Sequence, residues 1–195
     1  MSKTRLEAFS DAVIAIIITI MVLEFQTPEG ADWHALNTLT PVFLAYVLSF
    51  FYLAIYWNNH HHLLHAMQQV SGSVLWANMH LLFWLSLIPF ATAWTGEHNL
   101  EPLPTAVYGV ILLMCGIAYW ILVHTIMACE GPHSRLRKAV GSDAKGKISI
   151  LIYAAAIPLA YVNPWIADAM YLAVALSWLV PDRRIERTLG LKSAS

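Results

Sequence analysis

Long apolar segments, each close to the length of a membrane-crossing helix, follow one another through most of this 195-residue chain. Apolar residues make up 58% of the sequence and charged residues only 12%. A soluble domain of this size leaves a large share of its surface in water and cannot bury so many apolar side chains. Helices satisfy their backbone hydrogen bonds within each segment, so the sequence predicts an all-α, polytopic membrane protein.

Six segments approach the roughly 20 apolar residues that a transmembrane helix needs, although the last two are short. They cover residues 7–25, 41–66, 74–94, 106–128, 148–162 and 165–180. The second is apolar to about His61, and we expect its remaining residues to continue as an exposed helix. The fifth and sixth meet at Asn163 and Pro164, which leaves room only for a tight turn and predicts a helical hairpin. Residues 1–195 are therefore expected to form a single transmembrane unit.

The basic residues predict the orientation of these segments. All 11 lysines and arginines lie before the first segment, between the fourth and fifth, or after the sixth. An even number of crossings separates these positions, and the connections on the other side carry Glu29, Asp32, Glu97 and Glu101 with no lysine or arginine. Basic connections stay on the cytoplasmic side, so both chain ends are predicted to be cytoplasmic.

Several functional classes have no support in the sequence. The formal net charge of −1 gives no indication of a nucleic-acid partner. We find no phosphate-binding loop, no dinucleotide-binding glycine pattern and no Ser/His/Asp arrangement, so we expect neither an enzyme nor a cofactor. The Thr-Val-Gly-Tyr-Gly filter of ordinary potassium channels is absent, as is the arginine ladder of a voltage sensor.

The first segment has two different faces when its residues are placed at about 100° intervals. One narrow stripe is mostly aliphatic, with a basic residue at its N-terminal end, which we call its foot. It consists of Arg5, Phe9, Ala12, Ile16, Ile20, Leu23 and Thr27. Thr19 lies about 60° to one side of this stripe, and Asp11 lies on the opposite face. Periodicity alone favours helix packing or lipid contact for the stripe. It leaves Asp11 open as either a capped interfacial residue or a functional carboxylate.

A histidine run ends the second segment, in the sequence His60-His61-His62-Leu63-Leu64-His65. His61 and His65 share a helix face at one-turn spacing, which is a spacing that binds metals. The run is also similar to one histidine box of the membrane di-iron oxygenases, but those enzymes need several boxes and no second one occurs here. A polar cap that satisfies Asp11 is the favoured interpretation, with Asn78 and His80 as further partners.

Three motifs are more specific than the hydropathy. The first is Arg5-Leu6-Glu7-Ala8-Phe9-Ser10-Asp11, which has the form Arg-x-x-x-Phe-Ser-Asp. The second is Tyr56-Trp57-x-x-His60-His61, and the third combines Asn78 with Leu85-Ser86-Leu87-Ile88-Pro89-Phe90-Ala91-Thr92. Together with the six apolar segments, they resemble the transmembrane-protein-175 family of bacterial and lysosomal potassium channels.

The resemblance implies a potassium-selective, leak-type channel without a cofactor. Its bacterial members are six-helix subunits that form homotetramers in the lipid bilayer, with the first helix lining a central path for potassium ions. Carried over to this chain, the narrowest constriction falls at Ile16, further apolar rings fall at Ile20 and Leu23, and Thr19 contributes to selectivity. The remaining motif residues are expected to support the first helix, and these are Arg5, Phe9, Ser10, Asp11, Trp57, His60 and Asn78.

Two alternatives stay open at this point. A ring of aliphatic side chains does not decide which monovalent ion passes, so a less selective cation or proton channel is the first. The second is a histidine-rich membrane metalloenzyme or metal-binding protein, with His61 and His65 as candidate ligands. His62 and His65 depart from the commonest pattern of the family, and a sensitivity to pH or to metal ions is a hypothesis for them.

Overall fold

The computed structural model describes residues 2–98, 101–131, 136–137 and 143–179. These residues contain no strand, and their helices are α1 (Lys3–Leu23), α2 (Trp33–Asn37), α3 (Thr40–Ala66), α4 (Gly72–Leu85), α5 (Ile88–Glu97), α6 (Pro102–Glu130), α7 (Ala144–Leu159) and α8 (Pro164–Leu179). Four stretches are long and apolar enough to cross a membrane, namely Lys3–Leu23, Thr40–Ala66, Gly72–Glu97 and Pro102–Glu130. The chain is therefore an all-helical, multi-pass membrane protein, as predicted.

The count of six crossings stays a prediction. Helix α8 is apolar but shorter than the four long stretches, and α7 begins with Lys145 and Lys147 in its first turn. Each of these helices has 16 residues, which corresponds to about 24 Å against the roughly 30 Å of a hydrocarbon core. Val180, the last residue of the sixth predicted segment, lies outside the described residues, as do Arg135, Lys138 and the basic residues that follow Val180.

Helix α1 begins four residues before the predicted start. Ser2 is extended, and its hydroxyl oxygen accepts a hydrogen bond from the Arg5 backbone N–H at 3.4 Å. Such a cap satisfies one of the free N–H groups at a helix start. The polar residues from Lys3 to Glu7 therefore form the first turn of the helix, although hydropathy alone leaves them out.

The third predicted segment is divided into α4 and α5. Pro89 is the second residue of α5 and has no N–H to donate to the Leu85 carbonyl, so the helix cannot continue unbroken. Ser86 closes the break locally, since its hydroxyl donates to the Phe83 carbonyl at 2.7 Å. The short helix α2 was also not predicted, and Asp32 caps it by accepting the Ala35 N–H at 2.8 Å.

Helices α7 and α8 pack against each other as a hairpin. Asn163 forms the turn between them, where its side-chain oxygen accepts the Trp165 N–H at 3.0 Å. Before α7, Asp143 adopts a left-handed backbone conformation with φ of 45°, which aspartate tolerates better than most residues. Its carboxylate accepts the Gly146 N–H, while burial raises the pKa of this carboxyl above its ordinary value.

Buried hydroxyl groups fix α3 against the rest of the bundle. Ser49 lies 2.8 Å from the Tyr108 hydroxyl of α6. Tyr52 donates to the Tyr171 carbonyl of α8 at 2.6 Å, and its own oxygen accepts the Tyr153 hydroxyl of α7 at 3.3 Å. Unpaired hydroxyls are costly in an apolar environment, so these bonds favour one arrangement of the four helices.

Helix α6 contacts α4, α5, α7 and α8, whereas α1 lies at the side of the bundle and packs on α3, α4 and α5. One face of α1 is consequently covered by its own chain, and the rest of the helix is not. This asymmetry places the candidate site.

Candidate pore-lining helix and its support

The two faces of α1 differ sharply in burial. The covered face repeats every three or four residues and consists of Leu6, Ser10, Ile14, Ile17 and Met21. The stripe defined by the helical wheel is uncovered in the single chain, where Ile16 is 56% exposed, Ile20 39%, Leu23 80% and Phe9 44%. Apolar side chains uncovered in one chain remain available for a partner copy, for lipid or for a central axis.

Thr19 is exposed beside this stripe. Its hydroxyl donates to the Ile16 carbonyl within the same helix at 2.8 Å. Since the hydroxyl proton is directed at the helix backbone, the lone pairs of the Thr19 oxygen point away from it and can face a cation. Arg5 is likewise exposed, at the foot of the stripe.

Asp11 has a partner on the neighbouring helix. The indole Nε1 of Trp57 in α3 donates to Asp11 Oδ1 at 3.0 Å. Asp11 is half-buried, and Trp57 is 44% exposed. This bond connects the first motif to the second.

Ser10, Asn78 and His60 form a separate, buried chain of hydrogen bonds. The Asn78 amide nitrogen donates to the Ser10 hydroxyl oxygen at 3.0 Å, and that hydroxyl donates to the Leu6 carbonyl at 2.9 Å. The Asn78 oxygen lies 2.7 Å from His60 Nε2, which therefore carries the proton. His60 Nδ1 is buried and has no hydrogen-bond partner within the described part of the chain.

These contacts differ from the sequence-based expectation, in which the end of the second segment caps Asp11 and Asn78 and His80 are further partners. Neighbouring residues on a helix point about 100° apart, so Ser10 and Asp11 reach different groups. The structure brings Asn78 to Ser10 instead of Asp11. His80, the other expected partner, accepts the Trp84 indole N–H within α4 at 2.9 Å.

The foot and head of α1 also contact α3. At the foot, the Lys3 ammonium donates to the His65 carbonyl at 2.6 Å and lies 4.0 Å from the Glu7 carboxylate. A cation at this place complements the negative end of the α3 helix dipole. Beyond the head of α1, the Phe25 ring packs edge-on against Tyr46, with centroids 5.2 Å apart. The two helices are therefore joined at three levels.

The histidine run lies on the last turns of α3. His61 and His65 are exposed, and their rings stack with an interplanar angle of 19°. Within the described ranges, no group of three or more potential metal ligands is found. A metalloenzyme centre of the kind that needs several histidine boxes has no counterpart there.

Asp168 is a membrane-helix carboxylate that the sequence reasoning missed. It lies one turn into α8, is half-buried, and sits close enough to Tyr108 and Tyr171 to interact with them electrostatically. A carboxylate inside the otherwise apolar segment 165–180 is visible in the sequence, and that signal could have found it.

Comparison with known proteins identifies the family. A sequence model described as "Endosomal/lysosomal potassium channel TMEM175" matches residues 5–89, which include the first two motifs and the third as far as Pro89. A protein from Chryseobacterium sp. (strain P1-3) named a potassium channel is 54% identical over 189 residues, covering 97% of this chain and 98% of the relative. The chain belongs to the TMEM175 family.

A crystal structure agrees with this assignment to TMEM175. The lysosomal potassium-selective channel TMEM175 homolog from Chamaesiphon minutus superposes with a TM-score of 0.82 at 26% sequence identity, covering 93% of this chain and 97% of that one. A TMEM175 relative from Bos taurus is 27% identical over 206 residues, covers 92% of this chain and 43% of its own length, and is named a proton channel. These relatives are all named ion channels, some for potassium and one for protons.

Proposed function

We propose that the chain is the subunit of a potassium-selective, leak-type cation channel. Four copies would meet around a central axis lined by α1. The observation that carries this proposal is the division of α1 into a face covered by its own chain and an aliphatic stripe left uncovered. An uncovered stripe alone also fits lipid, but Thr19 and the basic Arg5 share the uncovered side, and these polar groups favour a water-accessible axis over hydrocarbon.

In this proposal Ile16 forms the constriction. Four isoleucine side chains at one level would exclude water when they meet, and they would admit a partly hydrated cation when they separate. Ile20 and Leu23 continue the apolar lining towards the head of α1. The Thr19 oxygens, with their protons directed at the Ile16 carbonyls, would replace part of the hydration shell of a potassium ion.

The remaining motif residues would act by holding α1 in one rotational setting. The Trp57–Asp11 bond and the His60–Asn78–Ser10 chain attach the covered side of α1 to α3 and α4. Phe9 and Arg5 belong to the uncovered side at its foot. Since the supporting bonds determine which residues face outward, they would control the pore without touching the ion.

The proposed placement follows the charges of the chain. Residues 1–195 would form one six-helix unit in the cell (inner) membrane, with both ends on the cytoplasmic side. The head of α1 then faces outward, and Glu24 with the acidic outer connections would raise the local concentration of cations. No cofactor takes part in this proposal.

A second candidate is a less selective cation channel or a proton channel. The name of the bovine TMEM175 relative favours it, and an aliphatic constriction gives little preference among monovalent ions. A histidine-rich metalloenzyme has no comparable support.

Reconstitution separates these candidates. The purified protein would be placed in liposomes with a potassium gradient, a sodium gradient or a pH gradient, and the flux of each ion measured separately. We expect potassium flux well above sodium flux. Equal potassium and sodium flux, or proton flux without potassium flux, would favour the second candidate, and the absence of any flux would overturn both.

A further inference from the structure

We propose that His61 and His65, stacked one turn apart on the exposed end of α3, form a two-histidine site for a divalent transition-metal ion. The class of ligand is a late first-row cation such as Zn²⁺, Ni²⁺ or Cu²⁺. Metal binding at this site does not require ion conduction, so the proposal can be tested separately from the proposed channel function.

The helix geometry brings the two rings to one place. The ring centroids lie 6.2 Å apart at an interplanar angle of 19°, so both rings project from the same side of α3. Residues four apart are neighbours on a helix surface. Both residues are exposed. Because both side chains can rotate, one nitrogen of each ring can be placed at the roughly 2.0–2.1 Å from a shared metal ion that a zinc–imidazole bond requires.

The length of α3 places the site outside the hydrocarbon core. Its 27 residues span about 40 Å, which exceeds the roughly 30 Å hydrocarbon thickness by about two turns. The excess falls at the polar end, where the sequence changes from apolar residues to the histidine run. A metal ion dissolved in water can reach imidazoles in this position.

The donor set selects the metal. Two neutral imidazoles suit Zn²⁺, Ni²⁺ and Cu²⁺, whereas Mg²⁺ and Ca²⁺ prefer oxygen ligands. Water would fill the remaining coordination positions, because no group of three protein ligands occurs among the described residues. Because only two ligands come from the protein, we expect binding to be reversible.

Three charged residues of α1 lie near this end of α3. Lys3 binds the His65 backbone carbonyl, and Glu7 accompanies Lys3. Asp11 lies behind Trp57, whose ring stacks on His61 with centroids 6.0 Å apart. The two carboxylates offset the repulsion between Lys3 and a bound dication, and the Lys3 contact keeps the last turn of α3 in place.

Calorimetric titration of the full-length, untagged protein with NiCl₂ and with ZnCl₂ tests the proposal. We expect one saturable site per chain, weakened roughly tenfold or more in His61→Ala and in His65→Ala because each variant leaves a single ring in place of a chelating pair. His62→Ala is the matched control, because the His62 ring also lies near that of His61, with centroids 5.5 Å apart, but meets it edge-on and is not one helical turn away. It should bind as the unaltered protein does.

Thermal unfolding provides a second readout that does not depend on heats of binding. The metal should raise the midpoint of the unaltered protein and of His62→Ala, and it should leave the midpoints of the other two variants unchanged. If one alanine variant does not fold, His61→Gln or His65→Gln replaces it. No saturable binding, or equal binding by the unaltered protein and by both alanine variants, would overturn the proposal, as would an equal loss in His62→Ala.

Discussion

The carboxylate of Asp11 in α1 accepts a hydrogen bond from the indole nitrogen of Trp57 in α3, over 3.0 Å. This contact links an acidic residue near the start of one membrane helix to an aromatic residue near the end of another. Its two members come from different motifs, 46 residues apart. The interaction therefore gives a structural reason for both motifs, and it can be removed by a substitution that lies outside the uncovered stripe of α1.

Trp57→Phe should destabilise the protein, because it removes the N–H donor and leaves the half-buried Asp11 carboxylate without this bond. We expect a loss of about 1–3 kcal/mol, measured as a lower thermal midpoint in detergent. Trp76→Phe is the control, since Trp76 is 78% exposed and donates no hydrogen bond within the described residues. Equal losses in the two variants would show that the indole bond contributes nothing.

Asn78→Leu should interrupt the buried chain from His60 to Ser10. The imidazole would lose its acceptor in an apolar environment, at a cost of about 1–3 kcal/mol. Asn59→Leu provides the comparison, because the Asn59 side chain donates only to the Ile55 carbonyl of its own helix. Unfolding of both variants in the same detergent measures the difference, and a larger loss for Asn59→Leu would contradict the assignment.

Ile16→Asn should increase cation leak, because a polar ring lowers the barrier to wetting the constriction. Val22→Asn is a matched change on the same helix, since Val22 is 51% exposed but lies on the opposite face. Liposome flux measures both variants. A similar increase in the two, or no change for Ile16→Asn, would place the constriction elsewhere.

Gly96→Ala should destabilise the contact between α5 and α3. A Cβ on Gly96 would lie 2.8 Å from the Val42 Cα, and backbone atoms cannot rotate away as a flexible side chain can. We expect a cost of about 1–3 kcal/mol from overpacking. Gly72→Ala tests the opposite case, because nothing lies within 4 Å of a Cβ there, and its thermal midpoint should not fall.

Asp143, the residue before α7, should make the free energy of unfolding depend on pH. Burial raises the pKa of its carboxyl in the folded protein, with the Gly146 N–H, His124 and Lys147 acting against that shift. When the pKa of a carboxyl is higher in the folded protein, its protonated form stabilises the fold. This contribution is complete below the unfolded pKa near 3.9 and is lost as the pH rises through the folded pKa. Asp143→Asn should remove this dependence, so a pH series of unfolding midpoints that runs parallel for the two proteins would refute it.

The helices that the sequence predicted well are those whose ends coincide with a change in composition. The bounds of α3 agree within one residue of the predicted 41–66, because Pro41 begins an apolar run and the histidines end its membrane part. The start of α1 was missed since its first turn is polar and depends on a Ser2 cap. The break before α5 was missed because hydropathy does not change across Ser86, although Pro89 was a visible signal of a break.

The burial pattern of α1 was more predictable than its contacts with other helices. The helical wheel separates Ile16 from Asp11 correctly in burial, since periodicity determines which residues share a face. It does not determine which neighbouring helix each residue meets, and for this reason the Asn78 contact with Ser10 was not foreseen. Asp168 was missed because it stands alone, outside any motif.

The contacts of α1 with α3 at Lys3, Asp11 and Phe25 constrain how a pore made from α1 can widen. Spinning α1 about its own axis would pull all three residues away from their partners at once. Moving the subunit as one body keeps these contacts, together with the buried bonds that join α3 to α6, α7 and α8, and still moves the aliphatic stripe outward. Any stimulus that acts on the end of α3, where the histidine run lies, would then be transmitted mechanically to the narrowest point of the channel.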